Sequence, residues 1–534
     1  MTRWGKIGFW LVALAPVAAV LLVPVLVVQD GALHVSSADA LGQLASGRFD
    51  DVITGRPGVP PNIVAELLLW ALIHLVGATW GLKILVAGIL IGFALAARFL
   101  VASAGAAPEW AVLLLPFAWH RPLAWGFTDY SLGVVLLLVT VGVVLRRPER
   151  PPLLPLAALL TLSWLSHLVP AVATLGVAVA VVATAAVARH RDGPPGAWGA
   201  GLGRVALAAV PVVVLTVVFI ALSPPGASHP QPESLIHRIV AVLGMTEGTV
   251  TTVQAEYDLY RVIALLLYAT VAVLIVRRGR AVHAVDGLLV AAVLGALVAI
   301  VTPDGVGGGG YFLGMRLAML PPLLVAAWVA GELGRSRSAD AAPAGALSRP
   351  ALALAALLGV LAVGLVALRF PVQRDLGRRV ADLVKVAPCL PTRSTVLSLN
   401  LDDYHAKTVE MEPLSDPAGF VTDRRDGLDL DNEAGTVPYY FWRYRRDQDI
   451  ARYAVASPPG ESYERRIALG DAVRHGVRVD AVLVVGRPDA DPTSLADAPT
   501  RAELADLAAG FVRVAVSPRR IGELWLRRGL AASC

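Results

Sequence analysis

Long apolar runs separated by short polar stretches dominate the chain as far as Phe370. A run of about 20 apolar residues can cross a bilayer as an α-helix. About eleven such runs are present, at residues 7–28, 80–101, 109–124, 129–146, 153–169, 170–188, 204–223, 259–276, 282–301, 311–331 and 350–369. Beyond Phe370 charged residues become frequent and apolar runs shorten to strand length, as at 394–400, 481–486 and 511–517. The pattern predicts a polytopic α-helical membrane domain at 1–370 and a soluble α/β domain at 371–534.

One further apolar segment, residues 62–77, is shorter and contains Glu66 and His74. If it lies along the outer interface as an amphipathic helix, every basic cluster between the runs falls on one side of the membrane, as cytoplasmic loops require. These clusters are Arg98 and residues 146–150, 189–191, 277–280 and 335–337. The interpretation predicts an outer loop at 29–79 with a juxtamembrane helix at 62–77, and an extracytoplasmic C-terminal domain. The first run is longer than a signal-peptide core and is expected to remain as a helix.

The amino-acid composition agrees with a polytopic membrane protein. The 534 residues are 56% hydrophobic and 16% charged, whereas soluble domains carry about 25% charged residues. The net charge of +5 comes from the loop clusters and forms no continuous basic face, so nucleic-acid binding is not expected. Both cysteines, Cys389 and Cys534, lie in the C-terminal domain. In an extracytoplasmic domain they would form a disulfide, and two free thiols are the alternative.

The first outer loop opens with Asp30-Gly31-Ala32-Leu33-His34. An unpaired carboxylate at the lipid boundary is costly, so Asp30 is a functional candidate. If a new helix begins here, His34 shares a face with Asp30. A carboxylate beside an imidazole is a general-base arrangement. The alternative is that Asp30 only ends the first helix in headgroup water.

Other polar residues lie at the predicted outer ends of later helices. The aromatic turn at 117–133 contains His120 and Asp129, which would line a substrate cavity, and His167 ends a later helix. Arg316 lies inside an apolar run, where a guanidinium normally faces a partner or a cavity and can hold a phosphate. The alternatives are an interfacial aromatic belt, a hydrogen-bonded core histidine and an arginine that snorkels to headgroups.

Several site types are absent from the sequence. It contains no Walker loop, no zinc-ligand cluster with the usual spacing, no nucleophile elbow and no dinucleotide fingerprint. The glycine run at 307–310 precedes a membrane helix and is not a phosphate loop of that kind. The outer loop at 224–258 is expected to be too polar to be buried.

In chain order these features resemble the GT-C superfamily of membrane glycosyltransferases, which use polyprenyl-phosphate-linked sugars. The resemblance covers roughly residues 1–370. It rests on an acidic residue directly after the first helix, a juxtamembrane helix after it, and three short motifs. The motifs are Asp30-Gly31-Ala32-Leu33-His34, Gly126-Phe127-Thr128-Asp129-Tyr130 and Ser166-His167-Leu168. In the second motif Thr128 and Asp129 stand where the family has an aromatic residue and an amide. The C-terminal domain is similar to the α/β appendages of some members.

The resemblance implies roles for these residues. Asp30 would be the general base that deprotonates an acceptor hydroxyl, and Arg316 would hold the leaving lipid phosphate. His34 and His167 would orient the acceptor or the phosphate. Some members need a divalent metal, so Mg²⁺ or Mn²⁺ is allowed, but the residues do not indicate one and no ligand is assigned. The implied partners are a lipid-linked sugar donor, a glycan, lipid or protein acceptor, and the bilayer of the cytoplasmic (inner) membrane.

Two other function classes stay open. A transporter or flippase would place polar groups near the bilayer midplane, whereas here they lie at the predicted outer boundary and no strong internal repeat is visible. A non-catalytic membrane scaffold would make Asp30 incidental. Activity that depends on Asp30 would distinguish an enzyme from a scaffold. The aromatic and basic stretch at 438–444 is expected to pack the C-terminal domain onto its neighbour, and sugar binding is the alternative.

Overall fold

The computed structural model describes most of the chain. The described residues are 3–190, 198–222, 234–279, 281–303, 312–339, 348–401, 408–411, 414, 417–437, 440–455, 466–486, 498–530 and 534. The glycine run at 307–310 and residues 438–439 of the aromatic stretch lie outside these ranges.

Helices form most of the described chain as far as Leu383. They are α1 (Arg3–Leu22), α2 (Gly31–Ala45), α3 (Val64–Val76), α4 (Ala78–Ser103), α5 (Arg121–Ala124), α6 (Thr128–Arg146), α7 (Leu153–Ser166), α8 (Leu168–His190), α9 (Trp198–Leu222), α10 (Leu235–Leu243), α11 (Ala255–Arg278), α12 (Asp286–Val301), α13 (Leu313–Ala318), α14 (Leu320–Ala339) and α15 (Ser348–Leu383). A 3₁₀ helix covers Pro108–Phe117.

Eight helical segments among the described residues are long and apolar enough to cross a bilayer. They are α1, α4, α6, α8, α9, α11, α13 with α14, and α15. The predicted runs at 109–124, 153–169 and 282–301 coincide with shorter apolar helices, and the juxtamembrane segment 62–77 coincides with α3. The predicted fold class, a polytopic helical membrane protein with a C-terminal α/β domain, is confirmed. The three shorter crossings stay predictions.

Breaks between helices place two candidate residues at helix ends. Pro321 and Pro322 have no amide hydrogen for the carbonyls four residues earlier. The run that was predicted to be one helix is accordingly split at Met319 into α13 and α14, and Arg316 lies in the short α13. His167 lies between α7 and α8 with an extended backbone.

The loop before α11 departs from expectation. Residues 245–253, which we call the threonine loop, are buried except for the half-buried Glu247 and Val253. The expectation that the whole of 224–258 is too polar to be buried is therefore wrong for this part. The reason is that the Glu256 carboxylate accepts hydrogen bonds from the amides of Thr251 and Thr252, which satisfies groups that burial would otherwise leave without partners.

Contacts divide the chain into two compact units. The helical unit contains residues 1–21, 58–65 and 86–370, and the α/β unit contains residues 22–57, 66–85 and 371–534. The prediction assigned the whole outer loop at 29–79 to the membrane domain. By contact, most of that loop groups instead with the C-terminal residues.

The α/β unit is built on a five-stranded mixed sheet with the order β3-β2-β7-β9-β8. Strands β3 and β7 run parallel to β2, whereas β9 is antiparallel to β7 and β8. The strands of the unit are β1 (Ile53–Gly55), β2 (Thr395–Asn400), β3 (Leu428–Asp429), β4 (Trp442–Tyr444), β5 (Ala454–Val455), β6 (Arg466–Ile467), β7 (Ala481–Val485), β8 (Phe511–Val516) and β9 (Gly522–Arg527). Its remaining α-helices are α16 (Ala418–Thr422), α17 (Leu469–Arg474) and α18 (Ala498–Gly510).

Both faces of the central strands are covered. Every residue of β2 and β7 is buried, and alternate side chains of a strand point to opposite faces. Val482 and Val484 enter one hydrophobic core, whereas Leu483 and Val485 enter a second core on the other face. This double burial explains why these strands read as continuous apolar runs in the sequence.

Helix α2 is fixed to the first of these cores. Its Leu33 and Ala40 belong to the same cluster as Val482. The Asn432 side chain donates a hydrogen bond to the Leu33 carbonyl at 3.0 Å. Strand β1 also pairs antiparallel with β4, so Ile53 lies opposite Tyr444. These contacts place the first outer loop in the α/β unit.

Cys389 and Cys534 are joined by a disulfide, with Cα atoms 4.5 Å apart. The bond decides between the two alternatives that the sequence left open. It links positions 145 residues apart in sequence. A cross-link over so long a segment restricts the unfolded chain strongly.

We expect the double variant Cys389→Ser/Cys534→Ser to lower the free energy of unfolding of the α/β unit by about 2–5 kcal/mol. Thermal unfolding of the full chain in detergent, with and without reductant, measures the effect. Reductant should lower the melting temperature of the wild type and leave the double variant unchanged. Alkylation of both cysteines in the unreduced wild type would contradict the prediction.

Candidate functional site

Asp30 directly precedes α2 in the α/β unit. Its carbonyl accepts the amide hydrogen of His34 at 2.9 Å, so a helix does begin here, which was the condition for His34 to share a face with Asp30. The Asp30 side chain makes no capping hydrogen bond to the helix, and the residue is half-buried. The carboxylate is therefore not used to begin α2.

A carboxylate that the sequence analysis did not assign lies against the His34 ring. His34 Nδ1 and Glu66 Oε1 are 2.5 Å apart, and the two side chains are 5% and 0% exposed. The Tyr440 ring lies 6.4 Å from the imidazole, between ring centroids. Burial raises the pKa of Glu66, and the His34 imidazole partly opposes this shift. The pair is a buried acid–base couple on the first turns of α2 and α3.

His34 and Glu66 carry side chains of the kinds that bind divalent metal ions. In this structure His34 Nδ1 and Glu66 Oε1 share a hydrogen bond. A divalent metal, which the resemblance allows, stays a prediction.

An acidic pair in the same unit consists of Asp39 in α2 and Asp423 at the end of α16. Burial raises the pKa of Asp39 in α2, and a hydrogen bond from Gln43 opposes the shift. Burial also raises the pKa of Asp423 to about 6, and the charge of Asp39 adds to this shift. Arg424 and His74 oppose it only in part. The two carboxylates therefore repel each other when both are ionised.

Lys83 is a second residue that the sequence analysis did not single out. It is buried in α4, donates to the Val23 carbonyl, and holds its ammonium 4.6 Å from the centroid of the Trp80 ring. A lysine inside an apolar run was the signal that could have found it.

In the helical unit the aromatic turn and Arg316 come together at Tyr130. The Tyr130 hydroxyl donates to the Arg316 carbonyl at 2.5 Å. The Arg316 guanidinium lies 4.3 Å from the centroid of the Phe127 ring. The Tyr130 ring makes edge contacts with the rings of His120 and His167, at centroid distances of 6.0 and 5.5 Å. We call these five residues the Tyr130 cluster.

Both histidines of the Tyr130 cluster present the same tautomer. The Leu123 amide donates to His120 Nδ1 at 3.2 Å, and the Val169 amide donates to His167 Nδ1 at 3.1 Å. A backbone amide can only donate, so neither Nδ1 carries a proton and each neutral ring holds its hydrogen on Nε2. With Arg316, the cluster therefore combines one permanent positive charge with two ring donors, and this donor set suits an anion.

Asp129 has a structural contact in the same unit. Its Oδ1 accepts the amide hydrogen of Ala65, in the first turn of α3, at 2.8 Å. A carboxylate at a helix N-terminus satisfies an amide that lacks a partner within the helix. The role in substrate binding predicted for Asp129 stays a prediction beside this contact.

The structure thus distributes the six predicted site residues between the two units. Asp30 and His34 belong to the α/β unit. His120, His167 and Arg316 gather at Tyr130 in the helical unit, and Asp129 directly precedes Tyr130 in sequence. The sequence analysis missed Glu66 as the partner of His34, since an acidic residue in a short apolar helix was its only signal.

Comparison with known proteins does not identify a function for the chain. No family model and no curated protein sequence matches the chain. Among solved structures, the chain is similar to the crystal structure of ArnT from Cupriavidus metallidurans in the apo state. The likeness covers 98% of this chain and 97% of that chain, at 14% sequence identity and a TM-score of 0.48. The functional assignment therefore depends on the residues and contacts of this chain.

We expect Glu66→Ala to destabilise the protein by about 1–3 kcal/mol, because it leaves the buried His34 imidazole without this carboxylate. Glu66→Gln keeps a hydrogen-bond acceptor in place and should cost less. Thermal unfolding in detergent measures both changes. Melting temperatures equal to that of the wild type in both variants would show that the contact contributes nothing.

We expect stability to fall as the pH rises from about 4 to about 6, because of Asp423. Its folded-state pKa of about 6 lies above the unfolded value of 3.8, so the folded state binds more protons in this window. Asp423→Asn should flatten the profile and stabilise the protein above pH 6 by about 1–3 kcal/mol. The melting temperature from pH 4 to 7 is the measurement. Asp258→Asn, with a side chain 83% exposed and outside the charges that act on Asp423, is the matched control, and equal slopes in both variants would refute the assignment.

Proposed function

We propose that the protein transfers a sugar from a polyprenyl-phosphate donor to an acceptor hydroxyl at the outer face of the cytoplasmic membrane. The Tyr130 cluster is the observation that carries this proposal. It holds the buried Arg316 guanidinium together with the Nε2–H groups of His120 and His167. Such a donor set favours a phosphate over a neutral or cationic ligand.

Sugar transfer needs a cation beside the phosphate leaving group. The bond between the anomeric carbon and the phosphate oxygen breaks, and the phosphate keeps the electron pair. The negative charge that develops there is stabilised by donors already in place. Arg316 is held for this task, because its carbonyl is bonded to Tyr130 and its guanidinium lies on the Phe127 ring.

The acceptor side needs a base. As the acceptor oxygen bonds to the anomeric carbon, its proton passes to a carboxylate or an imidazole. We assign this role to Asp30, a half-buried carboxylate directly before α2 and one helical turn from His34. His34 would then help to orient the acceptor, with its own ring held by Glu66.

One observation makes His34 a second candidate for the base. A carboxylate that accepts from one ring nitrogen orients the imidazole and favours its protonated form, as Glu66 can do at Nδ1. The other nitrogen, Nε2, would then accept the proton of the acceptor. Replacing Asp30 and His34 separately distinguishes the two assignments.

The disulfide supports an extracytoplasmic α/β unit. Disulfides persist in oxidising compartments such as the periplasm and are rare in the cytoplasm. The Cys389–Cys534 bond is therefore consistent with catalysis at the outer face.

We expect Arg316→Gln to weaken binding of polyprenyl phosphate about 10- to 100-fold, since a charge-assisted hydrogen bond contributes about 1.5–3 kcal/mol. Arg316→Lys should recover part of the affinity, because it restores the charge without the planar fork. Equilibrium binding to purified protein is the measurement. The matched control is Arg261→Gln, whose native side chain is 54% exposed. Unchanged affinity in Arg316→Gln would exclude this phosphate site.

We expect Asp30→Asn to lower kcat for transfer from a radiolabelled polyprenyl-phosphate hexose about 10²- to 10⁴-fold, with donor affinity retained. The control is Asp258→Asn, at a side chain 83% exposed. If His34→Gln abolishes turnover and Asp30→Asn does not, the base is His34.

Movement of the lipid-linked sugar across the membrane of proteoliposomes, without transfer to an acceptor, would favour a transporter. EDTA treatment tests the divalent metal that the resemblance allows.

A further inference from the structure

The threonine loop, residues 245–253, is held from one end by a single carboxylate. Glu256 is fully buried and accepts from the amides of Thr251, Thr252 and Val253 at 2.9, 2.9 and 3.1 Å. The Thr251 hydroxyl lies 3.0 Å from the same carboxylate. A buried loop needs such partners for its backbone, and Glu256 supplies them from the first turn of α11.

Arg369 joins this carboxylate to the aromatic turn. Its guanidinium donates to Glu256 at 2.6 Å and to the Thr249 carbonyl at 3.0 Å. It also donates to the carbonyl of Trp119, the residue before His120. Tyr260 accepts from Arg369 at 3.2 Å. One buried cation therefore binds the threonine loop and the start of the aromatic turn at the same time.

The loop and the turn are also bonded directly. The Arg121 amide donates to the Gly248 carbonyl at 3.0 Å, and the Arg121 guanidinium donates to the Glu247 carbonyl at 3.2 Å. His120 is thus flanked by two residues, Trp119 and Arg121, that are both tied to this network.

The opposite side of the loop touches the chain that carries Arg316. A Cβ placed on Gly248 would lie 2.6 Å from the backbone nitrogen of Met319, closer than atoms can approach without movement. Met319 follows α13, three residues after Arg316. Only glycine allows the loop to approach this helix break so closely.

We infer that the threonine loop, fixed by Glu256 and Arg369, sets the position of His120 relative to Arg316 in the Tyr130 cluster. The inference rests on the proposed phosphate site and adds positioning residues to it. Glu256, Arg369 and Gly248 act through other residues and need not touch the substrate. Since donors must lie at defined distances from a phosphate, a displacement of about 1 Å at either end weakens binding about 10- to 100-fold.

The test compares Gly248→Ala and Glu256→Gln with the wild type and with Gly364→Ala. The last is a matched control, because a Cβ at Gly364 meets no atom within 4 Å. Two quantities are measured on the full chain in detergent. They are hydrogen exchange of peptides covering 245–253 and 313–319, and the Kd for polyprenyl phosphate with kcat for sugar transfer.

Both variants should increase exchange in both peptides, raise the Kd about tenfold or more and also lower kcat, because the displaced donors are the ones that stabilise the charge on the leaving phosphate. Gly364→Ala should change none of these. Glu256→Gln can fail to fold because it leaves Arg369 buried without this carboxylate, and Gly248→Ala then provides the test.

Faster exchange at 245–253 with neither a change at 313–319 nor a change in Kd would overturn the inference, since the loop would then only stabilise its own segment. If the wild type binds no polyprenyl phosphate, the proposed function fails. The exchange data then decide the inference alone. Coupled changes at 245–253 and 313–319 support it, and a change confined to 245–253 refutes it.

Discussion

The burial of α2 against the five-stranded sheet is the constraint on which the α/β unit depends. Leu33 and Ala40 enter the core on one face of the sheet, and Asn432 holds the Leu33 carbonyl. The approach is close, since a Cβ on Gly419 would lie 2.1 Å from the Ala32 carbonyl. Because α2 is packed on this side, its first turn has a fixed orientation. The backbone positions of Asp30 and His34 are therefore fixed as well, whereas in a mobile surface loop they would vary.

In the helical unit, polar groups are buried inside an apolar bundle and need hydrogen-bond partners there. Each buried donor or acceptor without a partner would cost about 1–3 kcal/mol. The buried Glu256–Arg369 pair and the Tyr130 hydroxyl satisfy backbone groups at helix ends and in the threonine loop. Rigid networks of this kind hold functional side chains at defined distances. The donors of the Tyr130 cluster therefore rest on a polar framework as well as on hydrophobic packing.

The proposed chemistry follows from the charges that each unit provides. The helical unit supplies a guanidinium and two imidazole donors, which suit a leaving phosphate. The α/β unit supplies a carboxylate at Asp30 and a buried His34–Glu66 couple, which suit removal of a proton. Group transfer needs both functions, since one bond to the anomeric carbon breaks as another forms.

The sequence by itself determined the class of the protein, the long membrane helices and the buried strands β2 and β7. These follow from run length and periodicity, which are local properties of the chain. Only the tertiary structure decided that Glu66, 32 residues away, is a partner of His34. It alone also decided that most of the first outer loop groups with the C-terminal fold and that the threonine loop is buried. The physical reason is that contacts between distant segments depend on packing and on the pairing of buried polar groups, which no local pattern encodes.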